Sequence, residues 1–321
     1  MRTESRRRIV SLWFPRLASD RVSRLRVDDG PLALTLRQGS ANRVYCLNEQ
    51  AERQGLHRGM SHADARAFCP ELQSCEAAPE ADRRFLLALR RWATRYCPWV
   101  GLEDTDGLVL DVTGSTHLWG GEGQMLANMR RSLMRAGLHV RIGLAETRGA
   151  AWALAHYAEG VATPGMALDT LKDLPVAALR LDEVTSIALR RLGLNVIGDL
   201  AAAARGPLAR RFGSGLLLRL DQALGAQPEE ITPLAEPPHY GVAMTLPEPI
   251  GRVEDVMAGA ERLLERLCAK LKAQEVGARQ LTLTLRRVDH GNQQVELTLA
   301  RPLRDSRRIL PLRALSPQQS G

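Results

Sequence analysis

The sequence predicts an α+β protein with several domains. The first half of the chain alternates short apolar runs with amphipathic stretches, which is the strand–helix–strand–helix order of a unit built around a central sheet. The middle of the chain has a helical pattern interrupted by glycine. The end combines one long amphipathic stretch with two runs of alternating polarity, a second α+β pattern. A length of 321 residues is enough for two to four compact units.

Short apolar runs predict three strands in the first half of the chain. They are residues 9–14, ended by Pro15, residues 107–113 and residues 139–145. Apolar periodicity and helix-terminating residues predict the helices that lie between and after them. The predicted helices are residues 48–54, a helix with Ser61 as its N-cap, residues 83–96, residues 124–135 and residues 147–157.

Glycine and proline divide the second half of the chain. After Thr163-Pro164-Gly165, short helical pieces separated by glycines are expected up to about Pro233. Residues 234–241 contain Pro-Pro and predict a linker. Residues 253–271 predict a long amphipathic helix. Two half-buried strands, joined by a turn at residues 289–292, are predicted by two sets of alternating apolar residues: Leu281, Leu283 and Leu285, and Val295, Leu297 and Leu299.

Composition excludes several classes of protein. Hydrophobic residues make up 45% of the chain and charged residues 25%, as in an ordinary soluble globular protein. No run approaches the ~18 apolar residues of a membrane span, so we expect no membrane partner. The five cysteines form no CxxC pair and have no histidine spacing suited to zinc. We expect them to be buried, reduced thiols, with a redox pair of Cys69 and Cys75 as the alternative.

Positive charge is concentrated towards the end of the chain. The net charge is +8, which fits a polyanionic partner. Residues 252–321 hold thirteen Lys and Arg against eight Asp and Glu, and so account for five of these charges. This segment is the expected electrostatic footprint for phosphates. A solvated basic surface is the alternative, and charge alone favours the two equally.

Four motifs in the right order resemble the Y family of translesion DNA polymerases. Residues 107–121, Gly-Leu-Val-Leu-Asp-Val-Thr-Gly-Ser-Thr-His-Leu-Trp-Gly-Gly, are similar to a palm segment of that family. Residues 48–60 resemble its fingers motif, residues 141–145 its next palm strand and residues 192–200 its thumb. Two further stretches, Leu-Trp-Phe-Pro-Arg-Leu-Ala-Ser-Asp-Arg from position 12 and Ala-Ala-Trp-Ala-Leu-Ala from position 150, are more similar to the ImuB-like branch, whose members are regarded as non-catalytic.

The resemblance covers nearly the whole chain and implies a right-hand architecture. It implies a palm formed by residues 1–30 and 76–165, fingers at 31–75, a helical thumb at 166–233, a linker at 234–241 and a small α+β little finger at 242–321. The little finger of the family ends with a helix and a fourth strand. Here Pro311 interrupts the last helical segment and no fourth strand follows, so we expect an incomplete little finger and a shortened chain.

The polymerase chemistry of the family needs two divalent cations held by carboxylates on two adjacent strands. The resemblance places Leu12 and Phe14 where the first strand carries aspartate. It places Asp106 and Gly107 where the second strand carries an Asp-Glu pair. One carboxylate of three remains, and an Asp-Gly pair before a strand is also a common turn. We therefore expect no catalytic residue, no metal and no cofactor.

The nucleotide-binding site implied by the resemblance also lacks the residues that its function requires. A tyrosine and an arginine of the fingers motif normally face the incoming triphosphate, and here these positions are Glu49 and Glu52. Two carboxylates would repel a triphosphate, and the alternative is that they form a solvated helix face. A palm lysine that contacts phosphate falls at Trp152. Arg53 and Arg148 remain nearby as generic cations.

The DNA-binding segments implied by the resemblance are better preserved than the catalytic positions. In the thumb, Leu181-Asp-Glu-Val184 departs from the glycine-containing hairpin that meets phosphates in the family, and residues 206–215 with their arginines are the better candidate. A surface charge is the alternative for each cation taken singly. As a group, the candidate DNA contacts are Arg205, Arg210, Arg211, Arg279, Arg286, Arg287 and Arg301.

The function implied by the resemblance is a catalytically inactive polymerase-like protein. It would bind damaged or primer–template DNA and scaffold translesion synthesis and induced mutagenesis in the bacterial DNA-damage (SOS) response, in the cytoplasm at the nucleoid. The implied partners are the sliding clamp, an error-prone replicative-type polymerase and a RecA-like accessory protein. Gln280-Leu281 superficially resembles a clamp-binding motif but falls inside a predicted strand.

Two other functions remain open at this point. One is an active low-fidelity polymerase in which Glu103 and Asp104 join Asp106 to hold Mg²⁺. A primer-extension assay separates that enzyme from the inactive protein. The other is a protein-interaction module whose DNA surface has decayed, which would show no affinity for DNA at low salt.

Overall fold

The computed structural model describes residues 7–24, 30–231, 240–244, 253–286 and 292–309. These residues fall into two compact units, one formed by the described residues up to 231 and the other by those from 240 onwards. No helix in these ranges is long and apolar enough to cross a membrane. All five cysteines are free thiols, and four of them are buried as predicted, whereas Cys75 is half-buried. The structure therefore has a larger α+β unit followed by a smaller one.

The larger unit contains most of the secondary structure. In chain order its elements are β1 (Ile9–Trp13), α1 (Leu17–Ser23), β2 (Leu32–Gln38), β3 (Ala41–Leu47), α2 (Glu49–Arg53), α3 (His62–Phe68), β4 (Gln73–Glu76), α4 (Pro79–Ala93), β5 (Val100–Glu103), β6 (Gly107–Asp111), α5 (Glu122–Arg135), β7 (Arg141–Ala145), α6 (Arg148–Ala153), β8 (Gly160–Val161), α7 (Ala167–Leu171), α8 (Glu183–Arg191), α9 (Ile197–Ala202), α10 (Arg205–Phe212) and α11 (Ser214–Leu224).

A five-stranded sheet forms the centre of this unit, with the strand order β5-β6-β1-β7-β8. Strand β1 pairs antiparallel with both β6 and β7, so the three predicted strands lie side by side. Alternation along β1 sends Val10 and Leu12 into a core with α4 and α5. Ile9 points to the opposite face, where it joins a core with α6 and the helices that follow. The end of β1 is therefore fixed by apolar packing.

The helices differ from their predicted bounds at their ends. Helix α4 begins at Pro79, four residues before the predicted start, because proline is well suited to the first turn of a helix. Helix α6 ends at Ala153, and the chain continues as a π-helical turn over Leu154–Ala158. Ser61 caps α3 as predicted, since its side chain accepts a hydrogen bond from Asp64 N. Such shifts are ordinary for predicted helix termini.

A second sheet, with the strand order β3-β2-β4, is absent from the predicted elements. Its hairpin β2–β3 turns at Gly39, which has a φ of 62° that favours glycine. Helices α2 and α3 pack on this sheet around Ala51 and Ala65, both fully buried. Residues 166–231 form the predicted helical segment.

The smaller unit is the predicted α+β arrangement. It contains α12 (Val253–Ala273), β9 (Ala278–Arg286), β10 (Asn292–Leu303) and α13 (Ser306–Ile309). The two strands pair antiparallel, with Leu283 opposite Val295. Its core consists of Cys268, Leu299 and Ile309 with four half-buried leucines around them. The predicted turn at residues 289–292 lies almost entirely outside the described residues, as does Pro311.

Candidate functional site

The pairing of β1 with β6 brings together the four positions that were compared with the carboxylates of the family. They are Leu12, Phe14, Asp106 and Gly107. Leu12 lies opposite Leu108 and Trp13 opposite Gly107 in the antiparallel register, and Phe14 N donates to Asp106 O at 2.8 Å. Leu12 and Phe14 are fully buried in the core shared with α4 and α5. Apolar packing thus occupies the places where carboxylates would be needed.

Asp106 is the one carboxylate among the four compared positions, and its side chain is partly buried. The Trp13 indole Nε1 donates to Asp106 Oδ2 at 3.2 Å. Burial raises the pKa of Asp106, against the opposing effects of this hydrogen bond and of the Arg58 charge. A cavity of about 70 Å³ borders Asp106 and is also lined by Arg58 and Asp82.

Glu103 is held by an arginine, not directed at the Asp106 cavity. It is 4% exposed, and Arg148 binds it bidentately, with Nε–Oε2 at 2.8 Å and Nη2–Oε1 at 2.9 Å. Arg180 lies 3.9 Å from the same carboxylate and binds Glu229 bidentately at 2.7 Å. Arg148 is therefore a member of a buried ion network between the sheet and the helical segment, and the description of it as a generic cation is wrong.

The four compared positions do not supply the ligands of a divalent-cation site. Leu12, Phe14 and Gly107 offer no side-chain oxygen, and Glu103 is engaged by Arg148. Magnesium needs several hard oxygen ligands in near-octahedral geometry. Within the described ranges, no group of three or more His, Cys, Asp or Glu side chains is placed to hold a metal ion.

The rings of Trp13, His156 and Trp152 form a stack at the end of β1. Trp13 stacks on His156 with ring centroids 4.3 Å apart, and His156 stacks on Trp152 at 3.8 Å. His156 Nδ1 is 2.9 Å from the Trp152 carbonyl oxygen, and Arg141 Nη1 donates to the His156 carbonyl oxygen at 2.8 Å. Burial lowers the pKa of His156 to about 4, so the central ring is neutral at physiological pH.

The ring stack makes the stability of the chain pH-dependent. Because the folded pKa of His156 is about 4 against an ordinary 6.5, the unfolded chain binds this proton at a higher pH than the folded chain does. The associated stabilisation is complete above pH 6.5 and is lost as the pH falls towards 4. We expect His156→Phe, which keeps an aromatic ring without titrating, to lose less stability between neutral pH and about pH 4.5 in urea unfolding. A His57→Phe control at an exposed position should behave as the wild type, and equal pH slopes for all three proteins would contradict the assignment.

Helix α2 carries the two glutamates of the fingers motif, and both make ion pairs. Arg16, just past the end of β1, donates to Glu52 Oε2 through Nε at 2.8 Å and Nη2 at 2.6 Å. Its Nη1 also lies 3.6 Å from Glu49, which pairs with Arg53 at 2.5 Å. Glu49 and Glu52 remain partly exposed to solvent, with side-chain exposures of 39% and 36%. These carboxylates tie α2 to the segment that follows β1.

His139 extends this contact to helix α1. Its Nδ1 lies 2.9 Å from Asp20 Oδ1, and its Nε2 lies 3.4 Å from Glu49. Asp20 also accepts a hydrogen bond from His139 N at 2.7 Å. Arg16, Trp13 and His139 were all missed by the sequence analysis, because their partners lie far away along the chain.

The helical segment places its arginines around helices α10 and α11. Residues 206–212 lie inside α10, so the turn is confined to Gly213, whose φ is 77°. Arg205 is 57% exposed and pairs with Asp221 at 2.6 Å. Arg210 and Arg211 are exposed, and the Arg211 guanidinium lies 5.8 Å from the Phe212 ring centroid. Two of the three predicted cations thus make no ion pair with the described residues.

Helix α8 begins within residues 181–184, the segment that departs from the hairpin of the family. The Asp182 carboxylate caps its N-terminus. Asp182 accepts hydrogen bonds from Thr185 N at 2.7 Å and from Thr185 Oγ1 at 2.9 Å. The first of these bonds lowers the pKa of Asp182. An anion already occupies this helix N-terminus, so a phosphate would meet a negative charge there.

In the smaller unit, Arg279 on β9 and Arg301 on β10 are exposed. Gln280, also on β9, is exposed, whereas the neighbouring Leu281 is half-buried among the leucines of the core. The backbone of Arg286 ends β9, but its side chain and the whole of Arg287 lie outside what the structure describes. Of the arginines predicted to contact DNA in this unit, the structure therefore describes the side chains of Arg279 and Arg301.

Family models match both parts of the chain. Residues 18–156 match the impB/mucB/samB family, and residues 237–313 match the C-terminal domain of the same family. The chain belongs to this family. Protein ImuB of Caulobacter vibrioides is 41% identical over 260 residues, which are 80% of this chain and 57% of that protein. The chain thus spans less than two thirds of the length of this relative.

Proteins named DNA polymerase IV match this impB/mucB/samB family member at lower identity. DNA polymerase IV 2 of Mesorhizobium japonicum is 26% identical over 81% of this chain and 64% of its own length. The solved structure of DinB from Sulfolobus solfataricus matches 95% of this chain and 91% of its own, with a TM-score of 0.60 at 17% identity. The insertion ternary complex of Dbh DNA polymerase matches with a TM-score of 0.61 at 16% identity, over 96% of this chain and 93% of its own. The predicted Y-family polymerase fold is confirmed.

Proposed function

We propose that this impB/mucB/samB family member is a catalytically silent polymerase-like protein that binds DNA. The observation that carries the proposal is the β1–β6 junction, where Leu12, Phe14 and Gly107 leave Asp106 as the one carboxylate. Glu103, one of the two acids that would join Asp106 in a rearranged metal cluster, is engaged by Arg148. Two-metal phosphoryl transfer requires a cage of oxygens that these residues do not offer.

The side that would face a nucleotide supports the same proposal. Glu52 accepts the Arg16 guanidinium, so an internal ion pair takes the place of a cation directed at a triphosphate. Trp152 is a member of the ring stack and carries no charge. We infer that the chain does not bind a nucleoside triphosphate at this cleft.

A binding measurement tests this part of the proposal. The affinity of the chain for a primer–template is measured with and without the next complementary deoxynucleoside triphosphate and Mg²⁺. A polymerase uses the nucleotide to complete its complex, so its affinity for DNA rises. We expect equal dissociation constants in the two conditions here. A tenfold gain with the complementary nucleotide only, about 1.4 kcal/mol, would overturn the proposal.

We infer that DNA is held through phosphates by exposed cations of the helical segment and of the smaller unit. Arg210, Arg211, Arg279 and Arg301 are exposed, and none of them makes an ion pair with a described residue. The matching Dbh structures include an insertion ternary complex, which supports a DNA-binding use of the same fold. Phosphate contacts give affinity that is salt-sensitive and independent of sequence.

Neutralising Arg210 and Arg211 together should weaken DNA binding and flatten its salt dependence. Each phosphate contact contributes about 0.9 to the slope of log K against log salt for duplex DNA, so the double alanine variant should lose up to about 2 from that slope. The matched control is Arg83→Ala/Arg84→Ala, which removes two adjacent exposed arginines from α4. Unchanged slopes in both variants would exclude α10 from the DNA surface. Absence of any affinity at low salt would favour the protein-interaction module.

We further propose that the bound chain scaffolds translesion synthesis and induced mutagenesis in the bacterial DNA-damage response. The 41% identity to Protein ImuB supports this cellular role. The proposed partners remain the sliding clamp, an error-prone replicative-type polymerase and a RecA-like accessory protein. Pull-down of purified candidates by the full chain tests each partner separately. Retention of the polymerase on DNA only in the presence of this chain is the expected result.

A further inference from the structure

A groove lies along the outer side of helix α5, away from the junction of β1 and β6. The buried side of this helix consists of Met125, Met129 and Leu133. The groove has a volume of about 360 Å³ and is lined by Trp119, Gln124, Ala127, Asn128 and Arg131. This volume is within the ~300–1,000 Å³ range of pockets that bind ligands. The proposed DNA-binding function uses none of these residues.

The floor of the groove is preformed by aromatic packing. The Trp119 ring lies on the Tyr96 ring with centroids 4.5 Å apart, and Trp92 packs against the edge of Tyr96 at 5.3 Å. Tyr96 Oη donates to Asn128 Oδ1 at 2.7 Å. Because this bond orients the amide, the Asn128 NH₂ group is the end available to a ligand. A bound group would thus meet an indole and an amide donor already held in place.

Arg131, which lines the groove, gives it a positive charge. Arg131 and Arg135 are exposed on the outer side of α5, and Arg95 is exposed just past the end of α4. Glu122 is the one acidic residue of α5, and it already accepts two hydrogen bonds from Arg8 at 2.7 Å. Leu118, which precedes Trp119, is 72% exposed. Cationic and apolar groups are therefore presented together.

We propose that this groove docks an acidic peptide segment of a partner protein, which inserts one aromatic or bulky aliphatic side chain beside Trp119. Arg131 complements a carboxylate of such a segment, and the apolar side chain fills the groove. Tryptophan and arginine are enriched among the residues that dominate binding at protein interfaces. Leu118 favours a peptide over single-stranded nucleic acid, which has no aliphatic side chain to cover it.

The test uses the full chain and a fluorescein-labelled peptide in which one phenylalanine lies within a run of glutamates. Fluorescence anisotropy measures its dissociation constant. Arg131→Glu and Ala127→Glu each add negative charge at an exposed or lining position without touching the core, and each should weaken binding by at least about tenfold. Arg190→Glu, an exposed arginine of α8, is the matched control and should leave binding unchanged. A peptide with serine in place of the phenylalanine should also bind at least about tenfold more weakly, since the apolar contact is lost.

Three results would overturn the proposal. One is no binding of the peptide by the wild type, and another is equal binding by wild type and Arg131→Glu. The third is an oligothymidylate that binds more tightly than the peptide and loses affinity in Arg131→Glu, which would make the groove a nucleic-acid surface. Trp119→Phe should keep most of the affinity while Trp119→Ala loses it. Thermal unfolding of each variant separates lost binding from lost folding.

Discussion

Replacing Arg148 by methionine should lower the free energy of unfolding by about 3 kcal/mol, because Glu103 would remain buried as an uncompensated charge. Glu103 is 4% exposed and takes two hydrogen bonds from Arg148 at 2.8 and 2.9 Å. Arg180, 3.9 Å from Glu103, stays in place and keeps the loss at the lower end of the range for broken buried pairs. Urea unfolding measures the change.

The double variant Glu103→Leu/Arg148→Met is the informative companion to this experiment. Removing both charges eliminates the desolvation cost together with the attraction, so most of the lost stability should return. Arg53→Met breaks the exposed pair with Glu49 and should cause no measurable change. A double variant as unstable as Arg148→Met alone would mean that packing of the Arg148 side chain, not its charge, provides the stabilisation.

Restoring a family carboxylate by Leu12→Asp should destabilise the chain by at least about 4 kcal/mol and should create no metal site. Leu12 is fully buried in the core between the central sheet and helices α4 and α5. The substitution removes an aliphatic side chain and places a carboxylate in an apolar environment. The melting temperature of the variant, measured with and without Mg²⁺, checks both parts of the prediction.

Leu12→Met is the control for volume and should cost less than about 1.5 kcal/mol. Gly107 shows why adding the remaining carboxylate would not help. A Cβ at this position would lie 2.8 Å from the Glu103 carbonyl oxygen, so any side chain forces the strands to move. A rise in the melting temperature of Leu12→Asp caused specifically by Mg²⁺ would contradict the account, because it would reveal a cation site that still assembles.

The parts of the fold that periodicity encodes were predicted from the sequence. Strands β1, β6 and β7 and helices α4, α5 and α12 show repeating apolar positions, and the structure contains all of them near the predicted bounds. The sheet β3-β2-β4 was missed, since β2 ends and β3 begins in polar, exposed residues and the four-residue β4 has no buried residue. The π-helical turn at Leu154–Ala158 carries no local sequence signal that distinguishes it from α-helix.

The candidate site was predictable only where a family position could be compared with the residue present. Such comparison singled out Leu12, Phe14 and Gly107, but it could not show what surrounds them. Arg16 and Glu52 are 36 positions apart, and Arg148 and Glu103 are 45 apart, so spacing along the chain does not reveal their pairing. The glutamate at position 52, where the family has an arginine, was a usable signal, because this carboxylate needs a cation from elsewhere in the chain to balance its charge.

Primer extension tests the central claim most directly. The full chain is incubated with a primer–template, all four deoxynucleoside triphosphates and either Mg²⁺ or Mn²⁺, and an Asp106→Ala variant is assayed in parallel. The account predicts no extension above a no-protein control with either metal ion, and identical results for the two proteins. Templated incorporation by the wild type that is abolished in Asp106→Ala would contradict it.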